Sequence, residues 1–272
     1  MERKIEFTGS GGSLFVKFLV GGILTGITLG IYLPWFVVNL EKYIMENLTL
    51  KTESGDVKFQ FTGSGGSLFV TYLVGMLLTM ITIGIYAPWF MVKLTNWMAA
   101  NTKATAANGS IYNVKFNGGG GSLFGTYLLG VILTSITFGI YAPWFMVNLA
   151  KFFLNNMDIL ENGAKAGAFS FTGEGAELLG TYIVGAILTS ITFGIYGAWF
   201  AVSLMKYFAK GTGVSIQGKN MTCKFVGEGA SYFGLNFVGI LLTMITFGIY
   251  AAWYTCNLMK FQFENLRILD RT

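Results

Sequence analysis

The chain has 272 residues, of which 53% are hydrophobic, 16% aromatic and 11% charged, with a formal net charge of +5 at pH 7. Soluble domains typically carry about 25% charged residues, so this composition argues against a soluble protein and predicts an integral membrane protein. Histidine is absent, which removes the most common general base and the most common metal ligand.

A ten-residue motif recurs along the chain. Its copies start at spacings of 54, 55, 55 and 54 residues, at Ile27, Ile81, Ile136, Ile191 and Ile245. A fixed period is the signature of a repeat architecture. We therefore predict one repeat domain over residues 1–272, with units at residues 5–56, 57–112, 113–166, 167–221 and 222–272.

Each unit opens with a short run that alternates apolar and polar residues and ends in phenylalanine. Such alternation predicts a β-strand. The runs cover residues 5–7, 57–61, 114–116, 169–171 and 223–225. Between units, two short runs flank a polar or glycine turn, which predicts a β-hairpin. The segment at 266–270 would supply the strand that the first hairpin lacks.

The first helix of each unit is apolar almost all round. In the first unit it is predicted at residues 14–31, about 27 Å long. One column of this helix is always glycine, at Gly21, Gly75, Gly130, Gly185 and Gly239. Small residues let helices approach closely in lipid, so we predict a helix-packing face. For the threonine pairs, such as Thr134 and Thr137, bonding to their own helix is favoured over a role as ligands in a pathway.

A glycine-containing turn then separates two helices. Its aromatic residues are predicted to be anchors at the membrane interface. They are Tyr32, Trp35, Tyr86, Trp89, Tyr141, Trp144, Tyr196, Trp199, Tyr250 and Trp253.

The second helix, predicted at residues 35–47 in the first unit, carries a polar stripe. It is too short and too polar for an independent lipid-facing span. The candidate lumen or packing stripe comprises Asn39, Lys42, Lys93, Asn96, Asn148, Lys151, Ser203, Lys206, Asn257 and Lys260.

The charges indicate how the units are oriented. Seventeen of the eighteen Lys and Arg residues, all but Lys17, fall in the hairpins, the second helices or the termini. We therefore predict a membrane α+β fold of five parallel units, each a short membrane helical hairpin plus a β-hairpin on one side. The positive-inside rule places the β-hairpin side in the cytoplasm.

The two ends of the chain are predicted to meet, because unpaired strand edges invite pairing. Closure within one chain, as a pseudo-fivefold ring, is favoured over closure between chains. An open array of units is the remaining alternative.

Three segments resemble one family. They are a phenylalanine, glycine-rich loop and Leu-Phe at residues 116–124, the pattern Leu-Thr-x-Ile-Thr-x-Gly-Ile-Tyr-x-x-Trp at 133–144, and Leu-x-Lys-Tyr at 204–207. These segments resemble the YjgN-like family of uncharacterised bacterial membrane proteins, and the resemblance extends to every unit. It implies a bacterial membrane location, the inner membrane in particular, and carries no activity and no catalytic residues.

We predict no enzymatic activity, no cofactor, no metal site and no nucleic-acid partner. Glu174, Glu177 and Glu228 are the nearest approach to paired carboxylates, and a solvated loop explains them better than acid–base work. The favoured function is a membrane scaffold or assembly protein that contacts the lipid bilayer and associates with itself or with other membrane proteins. The alternative is a channel or pore for ions or small solutes, lined by the polar stripe.

Overall fold

The computed structural model describes residues 2–270 and forms five consecutive β–α–α–β units. Met1, and Arg271 and Thr272 of the predicted fifth unit, lie outside the described residues. The strands are β1 (Glu2–Phe7), β2 (Leu48–Thr52), β3 (Gly55–Phe61), β4 (Thr102–Thr105), β5 (Ile111–Phe116), β6 (Met157–Glu161), β7 (Ala164–Phe171), β8 (Thr212–Ile216), β9 (Lys219–Phe225) and β10 (Leu266–Asp270). The helices are α1 (Gly11–Ile27), α2 (Leu33–Glu46), α3 (Gly65–Ile81), α4 (Ala87–Asn101), α5 (Gly120–Ile136), α6 (Ala142–Asn155), α7 (Gly175–Ile191), α8 (Gly197–Gly211), α9 (Gly229–Ile245) and α10 (Ala251–Glu264).

The ten described strands form one closed antiparallel barrel. Within the first unit, β1 pairs with β2, so the helical hairpin joins two adjacent strands. A short turn then leads from β2 into β3 of the next unit. The later units repeat this order, and β10 pairs with both β9 and β1. The predicted pairing between the two ends of the chain is therefore confirmed, and the barrel has no open edge.

Alternation along the strands separates the two faces of the sheet. In β2, Leu48 is buried and Lys51 is exposed. Side chains alternate across a strand, so apolar residues at every second position line the barrel interior while lysines such as Lys51 face outward.

The end of the barrel nearest the helices is packed with aromatic residues. The phenylalanine that ends each odd-numbered strand is buried, at Phe7, Phe61, Phe116, Phe171 and Phe225. We call this set the strand-end phenylalanines. Each contacts an aromatic ring of the second helix in its own unit; the Phe7 and Tyr43 ring centroids, for example, are 6.2 Å apart. These contacts hold the helices against the barrel.

The helices also form a closed series. Each helix packs against the helix before it and the helix after it in the chain, and α1 packs against α10. Leu14 of α1 is fully buried in a cluster with Ala252 and Cys256 of α10. The helical layer therefore closes at the same place in the chain as the barrel.

The predicted membrane helical-hairpin fold is wrong. Among residues 2–270, no helix combines the length and the apolarity needed to cross a bilayer. The first helix of each unit has 17 residues and a length of about 25 Å, against a hydrocarbon core of about 30 Å. The strands also join into one ten-stranded barrel rather than separate β-hairpins.

The predicted helix bounds also need correction. The first helix was expected at residues 14–31, but α1 runs from Gly11 to Ile27. It ends earlier because Leu29 and Gly30 both adopt positive φ, which a right-handed helix cannot accommodate. The apolar run therefore continues through a turn.

Candidate functional site

Each helical hairpin reverses through a turn of unusual backbone conformation. Leu29 has φ of 51° and Gly30 has φ of 91°. The Gly30 N–H donates to the Thr25 carbonyl at 2.8 Å, which closes the end of α1 in the manner of a Schellman motif. Glycine adopts positive φ without penalty, whereas an L-residue with a side chain loses about 1–2 kcal/mol. The strained position is therefore the residue before the glycine.

That strained position is apolar and almost fully exposed in all five units. The five residues, which we call the apolar turns, are Leu29, Ile83, Phe138, Phe193 and Phe247, and their exposures lie between 93% and 98%. All five have φ near 50°. The isoleucines two positions before and after each one are also exposed. Each turn therefore presents three apolar side chains at the hairpin end, one helix length from the preceding strand.

The threonine pairs stabilise these turns. In the third unit, Thr137 Oγ1 donates to the Leu133 carbonyl at 2.6 Å and accepts the Tyr141 N–H at 3.0 Å. The second threonine of the other pairs makes the same two bonds. Thr134, the first member, is half-buried; its Oγ1 atom is fully buried and has no hydrogen-bond partner within the described chain. The hydroxyl of the second threonine thus links the end of one helix to the start of the next.

The glycine column lies where α1 and α2, or their counterparts, come closest. A Cβ atom added to Gly130 would lie 2.0 Å from the ring of Phe145 in α6. A Cβ atom added to each of the other four glycines of the column would lie 2.1 Å from a ring of the second helix, at Phe36, Phe90, Phe200 and Tyr254. The column therefore accommodates an aromatic ring from the second helix of the same unit.

The predicted turn anchors pack within and between units. Tyr32 stacks on Trp35 with ring centroids 6.0 Å apart, and the other four pairs are similar. Trp35 also lies against Gly65 and Phe69 of α3 in the next unit. Trp253 contacts Gly11 and Phe15 of α1 in the same way. These tryptophans thus join each unit to its neighbour around the ring.

The polar stripe is distributed over exposed and half-buried positions. Asn39, Lys93, Asn96, Lys206, Asn257 and Lys260 are exposed, and Lys42, Asn148, Lys151 and Ser203 are half-buried. Asn96 Nδ2 and Ser203 Oγ both donate to carbonyls of their own helices. The Lys93 ammonium lies 5.7 Å from the centre of the Tyr86 ring. Within residues 2–270, no stripe residue borders the cavity of the barrel.

The barrel encloses a cavity of about 440 Å³ that the sequence did not predict. Its lining residues come from strands in all five units. No local motif marks such a cavity, because its walls are separated by up to 265 residues in the chain. The sequence does contain one indication of the cavity, which is a difference between repeats. Ala104 is much smaller than Leu50, which occupies the equivalent position of the first unit.

The hairpin end of the barrel carries a small polar network. The Tyr112 hydroxyl donates to Glu161 at 3.0 Å, and the Gln217 amide donates to the same carboxylate at 2.6 Å. The bond from Gln217 is the largest cause that lowers the pKa of Glu161. This network ties the third unit to the turn between β8 and β9 at the mouth of the cavity.

The candidate carboxylates lie at helix starts. Glu174 and Glu228 occupy the N-cap positions of α7 and α9, and Glu177 lies in the first turn of α7. Negative charge is stabilising at a helix N-terminus, so these positions suit glutamate without any catalytic role. Among residues 2–270, no group of three or more Cys, Asp or Glu side chains is arranged to hold a metal ion.

Comparisons with known proteins match two family models, each over part of the chain. The model described as "Bacterial protein of unknown function (DUF898)" matches residues 56–108 and 220–272. The model described as "Family of unknown function (DUF6693)" matches residues 114–215. The chain matches no solved structure.

Curated relatives are similar over shorter segments. "Inner membrane protein YjgN" of Salmonella typhimurium strain LT2 is 38% identical over 81 residues, which cover 30% of this chain and 20% of that protein. The protein of the same name from Escherichia coli K12 is 36% identical over 67 residues, 25% of this chain and 16% of its own length. Each match thus spans a fifth or less of the relative. These relatives and the DUF898 match confirm that the chain is similar to the YjgN-like family.

Proposed function

We propose that the protein is a non-enzymatic scaffold of the bacterial inner membrane, which contacts lipid through its apolar turns. The observation that carries the proposal is the near-complete exposure of Leu29, Ile83, Phe138, Phe193 and Phe247. Each of these residues also holds a strained backbone conformation. An apolar residue that is both strained and exposed in water is unfavourable on both counts, so its repetition in five units supports contact with an apolar phase.

The magnitude of this contact is sufficient for attachment. Burial of one large apolar side chain contributes about 1.5–3 kcal/mol, so the five turn residues alone contribute about 8–15 kcal/mol before association costs. The flanking isoleucines add to this surface.

The charge distribution supports the same orientation in every unit. Uncharged segments surround each turn, at residues 18–40, 59–92, 116–150, 178–205 and 229–259. Ten of the eighteen Lys and Arg residues lie in the strands, at Arg3, Lys4, Lys51, Lys58, Lys103, Lys115, Lys165, Lys219, Lys224 and Arg267. We propose that the barrel faces the cytoplasm, as the positive-inside rule favours.

The relatives support the choice of membrane. The similar proteins of Salmonella and Escherichia coli are named inner membrane proteins. Further copies of this chain or other membrane proteins are the partners that such a scaffold would hold beside the lipid.

The channel alternative is less favoured. It requires polar residues around a continuous path, whereas Asn96 and Ser203 bond to their own helices. The lining of the barrel cavity, which includes residues of all five units, is largely apolar.

The test replaces the five apolar turns with asparagine. Asparagine tolerates positive φ, so the variant should keep or gain folding stability while it loses apolar contact. Flotation of the full chain with liposomes of inner-membrane lipid composition should fall strongly. The matched control replaces Met98 and Ile111, exposed apolar residues outside the turns, with asparagine and threonine. A folded five-turn variant that floats like the wild-type protein would overturn the proposal.

A second measurement distinguishes the scaffold from the channel. Liposomes that carry the wild-type protein should show no ion flux above that of protein-free liposomes. Flux that depends on Lys42 or Lys151 would instead establish the channel alternative.

A further inference from the structure

We propose that the barrel cavity binds a single acyl chain with an anionic head, as in a fatty acid. The cavity is about 440 Å³, within the range of about 300–1,000 Å³ typical of small-molecule sites. This site is separate from the apolar turns, so it does not depend on the proposed membrane contact.

The walls of the cavity have the chemistry of an acyl chain. Val57, Val114, Ile159, Val214 and Ile268 are among the lining residues, and they come from five different strands. Their side chains can contact methylene groups but cannot offer them hydrogen bonds. An apolar chain therefore gains from burial here, and a polar chain loses its hydration without replacement.

The number of strands explains why the interior is not filled. An eight-stranded barrel is just wide enough for side chains to fill it or to hold one small ligand, and the diameter grows with strand number. This barrel has ten strands. The side chains that line the cavity are also small on β4, where Ala104 lies between Phe59 of β3 and Tyr112 of β5.

The cavity is closed at one end and accessible at the other. Its lining reaches Phe59 and Phe169, which lie two residues before the buried Phe61 and Phe171. The strand-end phenylalanines therefore form the floor. At the opposite end the lining includes Ser54, Asn108 and other residues of the hairpin turns. A chain would enter between these turns with its methyl end toward the floor.

The charges around the cavity select the head group. Arg3 and Lys219 border its mouth. Lys103 also borders the cavity, but its side chain lies on the exposed outer face of β4, like that of Thr105. The carboxylate of Glu161 lies at the mouth as well, where Tyr112 and Gln217 donate to it. Arg3 pairs with Asp270, and Glu161 accepts these two hydrogen bonds, which leaves Lys219 as the cation that a ligand can engage without disturbing these contacts. A carboxylate at the mouth would be attracted to this edge while the acyl chain lies inside.

The first experiment narrows the cavity. Fluorescence titration with cis-parinaric acid, in identical detergent micelles with the signal of empty micelles subtracted, should show saturable binding of one molecule per wild-type chain. Ala104→Phe should lower the affinity by about tenfold or more, because exclusion of two buried methylene groups corresponds to that factor. Ala104→Leu should give a smaller loss, and it introduces the residue that the first unit carries at the equivalent Leu50.

The matched control is Thr105→Phe, which adds the same ring to the exposed face of the same strand. It should bind like the wild-type protein, as should the five-turn asparagine variant. The proposal is overturned if the wild-type chain shows no saturable binding, or if folded Ala104→Phe binds as tightly as wild type. Loss of binding in the five-turn variant with retention in Ala104→Phe would assign the probe to the turns instead.

The second experiment tests the head group. A saturated fatty acid and the fatty alcohol of the same length are compared as competitors of the probe. Lys219→Gln should weaken competition by the acid by several-fold and leave competition by the alcohol unchanged. Lys103→Gln, on the exposed outer face of β4, is the control and should change neither. Equal effects of Lys219→Gln on both competitors would show that Lys219 does not recognise the anionic head.

Discussion

Arg3 and Asp270 join the two ends of the described chain, with the guanidinium Nη1 2.5 Å from the carboxylate Oδ1 across 267 residues. The pair lies beside the register in which Arg3 opposes Ile268 and Glu2 opposes Leu269. Backbone pairing of β1 with β10 and an ion pair therefore close the barrel at the same point.

This ion pair predicts a pH-dependent stability. The hydrogen bond from Arg3 is the largest cause that lowers the pKa of Asp270. A lowered folded-state pKa stabilises the protein above the unfolded pKa of about 3.9, and the stabilisation is lost as the pH falls through the folded value. Asp270→Asn should therefore lower Tm near neutral pH, and the gap to wild type should shrink below about pH 4. Glu53→Gln, in an exposed hairpin turn, is the control; a gap independent of pH would contradict the prediction.

Removal of the last strand should open the barrel. Deletion of the chain from Leu266 onward removes the partner of both β1 and β9. Amide hydrogen exchange should accelerate in peptides covering residues 2–7 and 219–225, while peptides covering β5 keep their protection. Deletion of Arg271 and Thr272 alone serves as the control. Unchanged exchange in β1 would show that the ends do not depend on each other.

Two glycine-to-alanine substitutions in α5, one in the glycine column and one outside it, should change the free energy of unfolding in opposite directions. Gly130→Ala places a Cβ against the ring of Phe145 and should lower the free energy of unfolding by about 1–3 kcal/mol. Gly125→Ala, in the same helix, meets nothing within 4 Å and should raise it by about 0.5–1 kcal/mol. Denaturant unfolding in one detergent measures both. Adding Phe145→Leu to Gly130→Ala should restore part of the lost free energy of unfolding. If it does not, the destabilisation does not arise from contact with the Phe145 ring.

The threonine pairs predict a similar contrast within one turn. Thr137→Val removes the acceptor of the Tyr141 N–H and should cost about 1–3 kcal/mol. Thr134→Val replaces a buried hydroxyl that has no partner in the described chain, so it should be neutral or stabilising. Thermal unfolding of the two variants is compared under identical conditions. A larger decrease in Tm for Thr134→Val than for Thr137→Val would contradict the prediction and would show that the Thr134 hydroxyl stabilises the protein.

The candidate surface was only partly predictable. The sequence drew attention to the repeated turn but assigned its importance to Tyr32 and Trp35, which pack between helices and units. The most exposed large apolar residue of the first turn is Leu29, because a left-handed backbone turns its side chain away from both helices. A large apolar residue before glycine in all five copies was the available signal.

The error in fold class has a physical cause. A run of apolar residues has the same composition whether it crosses lipid or continues through a turn, so the end of α1 at Ile27 was not visible in hydropathy. Positive φ at Leu29 is a conformational property that composition does not encode. The predicted strand segments that open the units lie within observed strands, because alternation of side chains is a local property, although those strands begin two to five residues earlier than predicted.

The sequence by itself determined the number of units, the positions of the strands and the pairing of 266–270 with the first strand, since each follows from local alternation or from comparison between repeats. Only the tertiary structure decided that ten strands close around a cavity and that Leu29 and its counterparts are exposed. The physical reason is that barrel closure and exposure depend on the angle by which successive units turn. That angle is set by packing between distant residues, such as Trp253 against Gly11.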